Sequence, residues 1–143
     1  MMDEVVQFVV FKVGVEEYAI PILKVNEIIR LKGINITQVP NTQKQIVGII
    51  NLRGEVVPII DLRLRFGVPE KKLESNDRII IVNIEDKNIG LLVDSVSEVA
   101  EIEGANIVPP PDQISGIDSR YITGIAKYHD RIFVVLDIET ITT

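Results

Sequence analysis

The chain of 143 residues predicts a mostly β protein built twice from one short pattern of strands. Three observations predict it. There are 25 Ile and 19 Val against 9 Leu, and β-branched side chains lose χ1 freedom in a helix but pack well on a pleated surface. The apolar runs are short and end at Gly, Asn, Asp or Pro, as strands ending in turns do. The second half of the chain also repeats the first in register.

In chain order, Val5–Val13, Ile46–Leu52, Glu55–Ile60, Arg78–Ile84, Asn88–Asp94 and Arg131–Leu136 read as strands. Val25-Asn26-Glu27-Ile28 fits either a helix or a strand. Asn51-Leu52-Arg53-Gly54 reads as a tight hairpin turn, in which Gly54 takes φ > 0 without steric cost. Pro58, inside an apolar run, points to an edge strand or a bulge. Asp61–Phe66 is short enough for one helical turn. Glu70–Asp77 is polar and reads as an exposed linker. Pro109-Pro110-Pro111-Asp112 reads as a loop, because Pro has no N–H for a strand ladder.

The repeat is visible by alignment of the chain with itself. At an offset of 71, Phe8-Val9-Val10-Phe11 falls on Ile79-Ile80-Ile81-Val82, Ile20 on Leu91, and Val25-Asn26-Glu27-Ile28 on Val96-Ser97-Glu98-Val99. At an offset of 76, Gly48 falls on Gly124, Val56 on Ile132, Ile60 on Leu136 and Asp61 on Asp137. A net insertion of five residues in the second copy accounts for the change, with the Pro-rich loop as its natural place. The expected organisation is two similar units, 1–75 and 76–143, each of four or five short strands. Units this small bury little surface alone. They are expected to pack their apolar faces together, and such short strands favour small closed barrels without exposed edges.

Composition excludes several functions. With no Cys there is no disulfide framework, thiolate zinc site or cysteine nucleophile. With one His there is no all-histidine metal centre. The net charge is -6 and the Lys and Arg are scattered, so the electrostatic footprint of nucleic-acid binding is missing. The apolar runs are far shorter than the roughly 20 residues of a membrane-spanning helix, and the acidic start Met1-Met2-Asp3-Glu4 is unlike a secretory signal. No phosphate-binding loop, dinucleotide fingerprint, zinc-protease helix or nucleophile elbow occurs. His129 reads as an exposed turn residue, and Asp61, Asp94 and Asp137 as strand-end caps rather than catalytic carboxylates. No enzyme and no cofactor is expected. Arg53 is either a solvated turn residue or an anchor for a partner protein, since Arg is enriched at interface hot spots.

Asn51-Leu52-Arg53-Gly54, followed by Val57-Pro58-Ile59-Ile60-Asp61-Leu62, closely resembles the signature of CheW-type chemotaxis coupling proteins. Glu17-Tyr18-Ala19-Ile20, Ile22–Ile28, Gly90-Leu91-Leu92-Val93-Asp94 and Tyr121-Ile122-Thr123-Gly124-Ile125 extend the likeness from about Val5 to Ile141. The resemblance implies two SH3-like five-stranded barrels around a shared hydrophobic core, with short helical turns. It implies a non-enzymatic adaptor with two partners: the cytoplasmic tip of methyl-accepting receptors and the regulatory domain of the histidine kinase CheA. It implies a cytoplasmic protein recruited to receptor arrays at the membrane's inner face, without insertion. By motif match, Val25, Glu27, Arg53, Val96 and Val99 face the receptor, and Gly48, Asn51 and Gly54 shape the turn that carries Arg53. On spacing alone, Val96 and Val99 are equally readable as core. Kinase contacts are expected at exposed apolar residues around Ile20 and Ile22. An adaptor for another kinase pathway, such as surface motility, is the alternative. The regulatory module of CheA itself would need phosphoacceptor and ATP-binding domains, which do not fit in 143 residues.

Overall fold

The computed structural model describes residues 4–39, 46–68, 73–74, 76–111 and 119–142. Eleven strands are formed among them: β1 (Val5–Val13), β2 (Glu16–Pro21), β3 (Val25–Arg30), β4 (Ile46–Leu52), β5 (Glu55–Asp61), β6 (Arg78–Ile84), β7 (Lys87–Val93), β8 (Ser95–Glu103), β9 (Ile107–Val108), β10 (Ile122–Tyr128) and β11 (Arg131–Leu136). Two four-residue helices, α1 (Leu62–Arg65) and α2 (Ile138–Ile141), follow β5 and β11. Each is capped by the aspartate expected to cap it. Asp61 accepts from the Arg63 N–H, and Asp137 from the N–H groups of Glu139 and Thr140.

The stretch left open between helix and strand is β3. Its bulge-interrupted antiparallel pairing with β6 sets it as an edge strand. Of the polar linker expected at Glu70–Asp77, residues 70–72 and 75 lie outside the described residues, as does Asp112 of the Pro-rich loop.

The strands form two sheets, in the orders β8-β1-β2-β11-β10-β9 and β3-β6-β7-β5-β4. The two offsets carry β1 onto β6, β2 onto β7, β3 onto β8, β4 onto β10 and β5 onto β11. Five strands of each sheet are therefore equivalent, but neither sheet is made from one copy. The first two strands of each copy pair with the last three of the other. The six-stranded sheet has one strand beyond five, β9, which is two residues long. Its counterpart is an isolated bridge between Thr37 and Ile49, equivalent to the pairing of Val108 with Ile125. The offset is still 71 at Val108 and already 76 at Ile122. The insertion therefore falls between them, on the Pro-rich side.

Alternation along the strands assigns each side chain to one of three cores. Phe8 and Val10 of β1 enter a cluster inside the six-stranded sheet with Ala19, Phe133 and Val135. Ile79 and Ile81 of β6 enter the matching cluster inside the five-stranded sheet with Val57 and Ile59. The alternate residues, Val9 and Phe11 of β1 and Ile80 and Val82 of β6, meet in a third core shared by both sheets. Both faces of β1 and β6 are thus covered, which is why their sequences are continuous apolar runs. Each fully buried Val, Ile or Phe contributes about 1.5–3 kcal/mol by removal from water. Phe11, Tyr18, Phe66 and Tyr121 continue across the shared core with ring centroids 6.0, 4.8 and 6.5 Å apart. Burial pushes the Tyr18 hydroxyl pKa up to about 12.

Pro58 lies on neither an edge strand nor a bulge. β5 is flanked by β4 and β7, and Pro58 pairs opposite Ile49. The parallel pairing of β5 with β7 begins only at Ile59 opposite Gly90. The missing N–H therefore falls where the two strands have parted. The parted ends leave a shallow cleft of about 250 Å³ between Glu55–Pro58 and Asp86–Ile89.

Candidate functional site

The β4–β5 hairpin has a two-residue tip. Leu52 pairs with Glu55, and Arg53 and Gly54 turn the chain with φ of 51° and 88°. Positive φ at both positions makes this the mirror-image turn whose twist matches paired strands. The Asn51 side-chain oxygen accepts the Gly54 N–H at 2.8 Å and closes the turn. Sequence anticipated Gly54 in this conformation but not Arg53. Gly48 is not part of that turn. A Cβ there would sit 2.3 Å from the Thr37 carbonyl oxygen, so Gly48 lets the Thr37 segment lie against β4.

The turn projects Arg53, whose side chain is 71% exposed. Its guanidinium grips the Glu27 carboxylate with two nitrogens: Nη2 on Oε1, and Nη1 at 3.4 Å from Oε2. Glu27 lies on β3, at one edge of the sheet, and Arg53 joins β4, at the other. The sheet is curled enough to bring its two edges within reach of this side-chain pair. The hydrogen bond to Glu27 raises the Arg53 pKa. Beside the pair, the Asn26 amide donates to Asn88 Oδ1 at 2.6 Å, and the Asn88 amide donates to Glu55 Oε1 at 2.7 Å.

Val25 and Val96 are half-buried and pack against the shared core, Val25 from β3 of one sheet and Val96 from β8 of the other. Val99 is not core: it is 50% exposed. Glu27 and Arg53 are thus in direct contact, whereas Val25 and Val96 are related through the core beneath them.

The expectation of an exposed apolar surface at Ile20 is corrected. Ile20 is 0% exposed in the shared core, because β2 lies between β1 and β11 with both faces covered. Ile22 is half-buried against the same core. The exposed apolar residue of this stretch is Leu23, 95% exposed on the 3-10 turn Ile22–Lys24. Sequence reasoning missed it, since an isolated Leu in an apolar stretch carries no sign of facing water.

Two further networks were not anticipated. At the equivalent end of the six-stranded sheet, Arg131 binds both Glu17 oxygens, at 3.1 and 2.7 Å, and Glu98 at 2.7 Å. Its guanidinium lies 4.8 Å from the centre of the Phe133 ring. The hydrogen bond from Arg131 holds the Glu17 carboxyl below its ordinary range. The repeat held a signal for half of this, since it carries Glu27 onto Glu98. In the second network, Arg63 of α1 is buried against Asp94 and, at 3.3 Å, Asp77. Asp94 binds Arg63 and accepts the Gly14 N–H at 2.7 Å, tying α1 to the β1–β2 turn. Burial raises the Asp61 pKa. Asp61, Asp77 and Asp94 are thus committed to a cap and to Arg63.

His129 occupies the tip of the β10–β11 hairpin with φ of 55°. Among the described residues no group of three or more His, Cys, Asp or Glu could hold a metal ion, and no helix is long and apolar enough to cross a membrane. What the molecule presents is a pair of equivalent hairpin ends, one with an outward arginine, beside half-buried valines on both sheets. This defines a protein-docking scaffold.

The CheW-like domain model matches residues 7–143. The chain is 41% identical to the chemotaxis protein CheW of Helicobacter pylori, over 97% of this chain and 82% of that protein. It is 37% identical to CheW of Klebsiella aerogenes, over 93% and 79%. The crystal structure of the scaffolding protein TtCheW from Thermoanaerobacter tengcongensis superposes with a TM-score of 0.87 at 40% identity, over 94% of this chain and 90% of that one. The chain belongs to the CheW-like family and, like the CheW proteins it matches, is a non-enzymatic scaffolding protein of chemotaxis.

Proposed function

We propose that this chain couples the cytoplasmic tips of methyl-accepting chemotaxis receptors to the regulatory domain of the histidine kinase CheA, and that signal passes through these contacts with no bond made or broken. The observation that carries the reading is the Glu27–Arg53 pair. Two residues singled out by motif, 26 positions apart, meet on the surface at the tip of a closed hairpin. A receptor tip is a helical hairpin, and a helix docked on a protein surface needs apolar contacts with a few polar anchors. Val25, Val96 and Val99 supply the apolar contacts; Glu27 and Arg53 supply the anchors. Asn51 and Gly54 hold the turn, and Gly48 acts one step removed, by seating β4. The copies 1–75 and 76–143 act as one unit, because each sheet needs strands from both. The kinase face includes Ile22 and the exposed Leu23. The protein works in the cytoplasm, at receptor arrays, without entering the membrane.

The test is Arg53→Glu, titrated against a soluble fragment of a receptor tip. The reversed charge would face Glu27 and Glu55, so binding is expected to fall about tenfold or more, with thermal melting unchanged. Equal binding by the variant and the wild type would remove Arg53 from the receptor site.

A further inference from the structure

The Glu27–Arg53 pair does not stand alone. A second string of hydrogen bonds runs behind it, from Asn26 through Asn88 to Glu55. Asn26 is the residue next to Glu27. It is also the extra residue of the β3 bulge, since Val25 pairs with Val82 and Glu27 with Ile81. Glu55 is two residues beyond Arg53, and its charge acts on Arg53 in the same sense as that of Glu27. The two chain segments and the two sets of contacts form a closed polar ring around one end of the five-stranded sheet. Asn88, at the start of β7, is its junction. Its amide nitrogen holds Glu55 on the Arg53 side, and its oxygen holds Asn26 on the Glu27 side.

The equivalent end is built differently. There Asn88 is replaced by Glu17 and Glu55 by Arg131, and these two bind each other directly. An amide suits the first end for a physical reason. A carboxylate at position 88 would repel Glu55, and a cation there would compete with Arg53 for Glu27 and Glu55. An amide satisfies a donor and an acceptor together while leaving the charges on Glu27 and Arg53 unaltered.

We propose that Asn88 is a positioning residue for the receptor-facing pair, acting through Asn26 on Glu27 and through Glu55 on Arg53. This rests on the reading of Glu27 and Arg53 as receptor anchors. The experiment is a mutant cycle in the full chain, with Arg53→Ala alone, the joint change Glu27→Ala with Arg53→Ala, and Asn88→Ala alone and combined with that joint change; Asn26→Ala is a second break in the same string. The probe is a soluble helical-hairpin fragment of a methyl-accepting receptor tip. Asn88→Ala and Asn26→Ala are each expected to weaken binding about three- to tenfold, and to have no further effect once Glu27 and Arg53 are both Ala. A merely structural Asn88 would weaken binding equally in both backgrounds. Loss on Arg53→Ala but none on Asn88→Ala or Asn26→Ala would overturn the positioning role and leave the receptor site standing. Additive losses would also overturn it. No loss on Arg53→Ala would overturn the receptor reading itself, and this inference with it.

Discussion

At the end of the five-stranded sheet the arginine stands in the turn, as Arg53. At the equivalent end of the six-stranded sheet it stands in the strand, as Arg131, and the turn position holds His129. The acidic partner is equivalent in both, Glu27 in one and Glu98 in the other. An arginine in a strand lies along the sheet: Arg131 spans two glutamates and covers the Phe133 ring. An arginine in a turn has no neighbouring strand to lie on, and Arg53 projects, bound by Glu27. A difference of two positions thus separates a guanidinium laid along the sheet from one that projects beyond it. The apolar residues beside them remain equivalent, with Val56 65% and Ile132 63% exposed.

The largest expected effect separates the two ends at their glycines. A Cβ on Gly48 would lie 2.3 Å from the Thr37 oxygen, and one on Gly124 3.0 Å from the Val108 oxygen. Both contacts are to backbone, which cannot swing aside. Gly48→Ala should lose about 3 kcal/mol in urea unfolding, and Gly124→Ala about 1 kcal/mol. Equal losses would show that the two bridges yield alike. Next comes the arginine itself. Arg131→Ala should lower the melting temperature by about 2–4 °C through lost hydrogen bonds and lost ring cover. Arg53→Ala should leave melting within about 1 °C of wild type, as for a surface residue. A larger drop for Arg53 would reverse the contrast.

The smallest effect is a pH dependence at the six-stranded end. Arg131 lowers the folded pKa of Glu17 below 4.5, so the ionised carboxylate stabilises the fold above that pH. This contribution fades as pH falls through the lowered pKa. Glu17→Gln lacks it. The melting gap between wild type and variant should therefore be widest above pH 4.5 and close on acidification. A gap independent of pH would mean that Glu17 acts by packing rather than by charge.

Much of this was legible in the chain. The runs at Val5–Val13 and Arg78–Ile84 are apolar throughout because a core lies on each face. The hairpin at Arg53 followed from Gly54, and the helix caps from strand-end Asp61 and Asp137. β2, β8 and β10 did not stand out as strands on composition: β8 carries three glutamates, two of them on exposed positions, and β2 begins with two. In the site, Glu27 and Arg53 were found by motif, but their contact was not. The burial of Arg63 was also hidden, since its partners Asp77 and Asp94 lie 14 and 31 residues away. Leu23 shows the same limit from the other side. It is the repeat equivalent of Asp94, and where one copy buries an ion network the other exposes an apolar side chain.

By itself the sequence determined the local terms: which runs extend, where they turn, which residues avoid water, and that the pattern occurs twice. Only the tertiary structure decided which copy each strand joins. Both copies offer the same alternation, so either set of partners would satisfy the hydrogen bonds and bury the same side chains. Hydrophobic burial is non-directional; it says that Val10 and Ile81 must be covered, not by which strands. The exchange of the first two strands between copies, and with it the shared core beneath Val25 and Val96, is a property of the assembled chain.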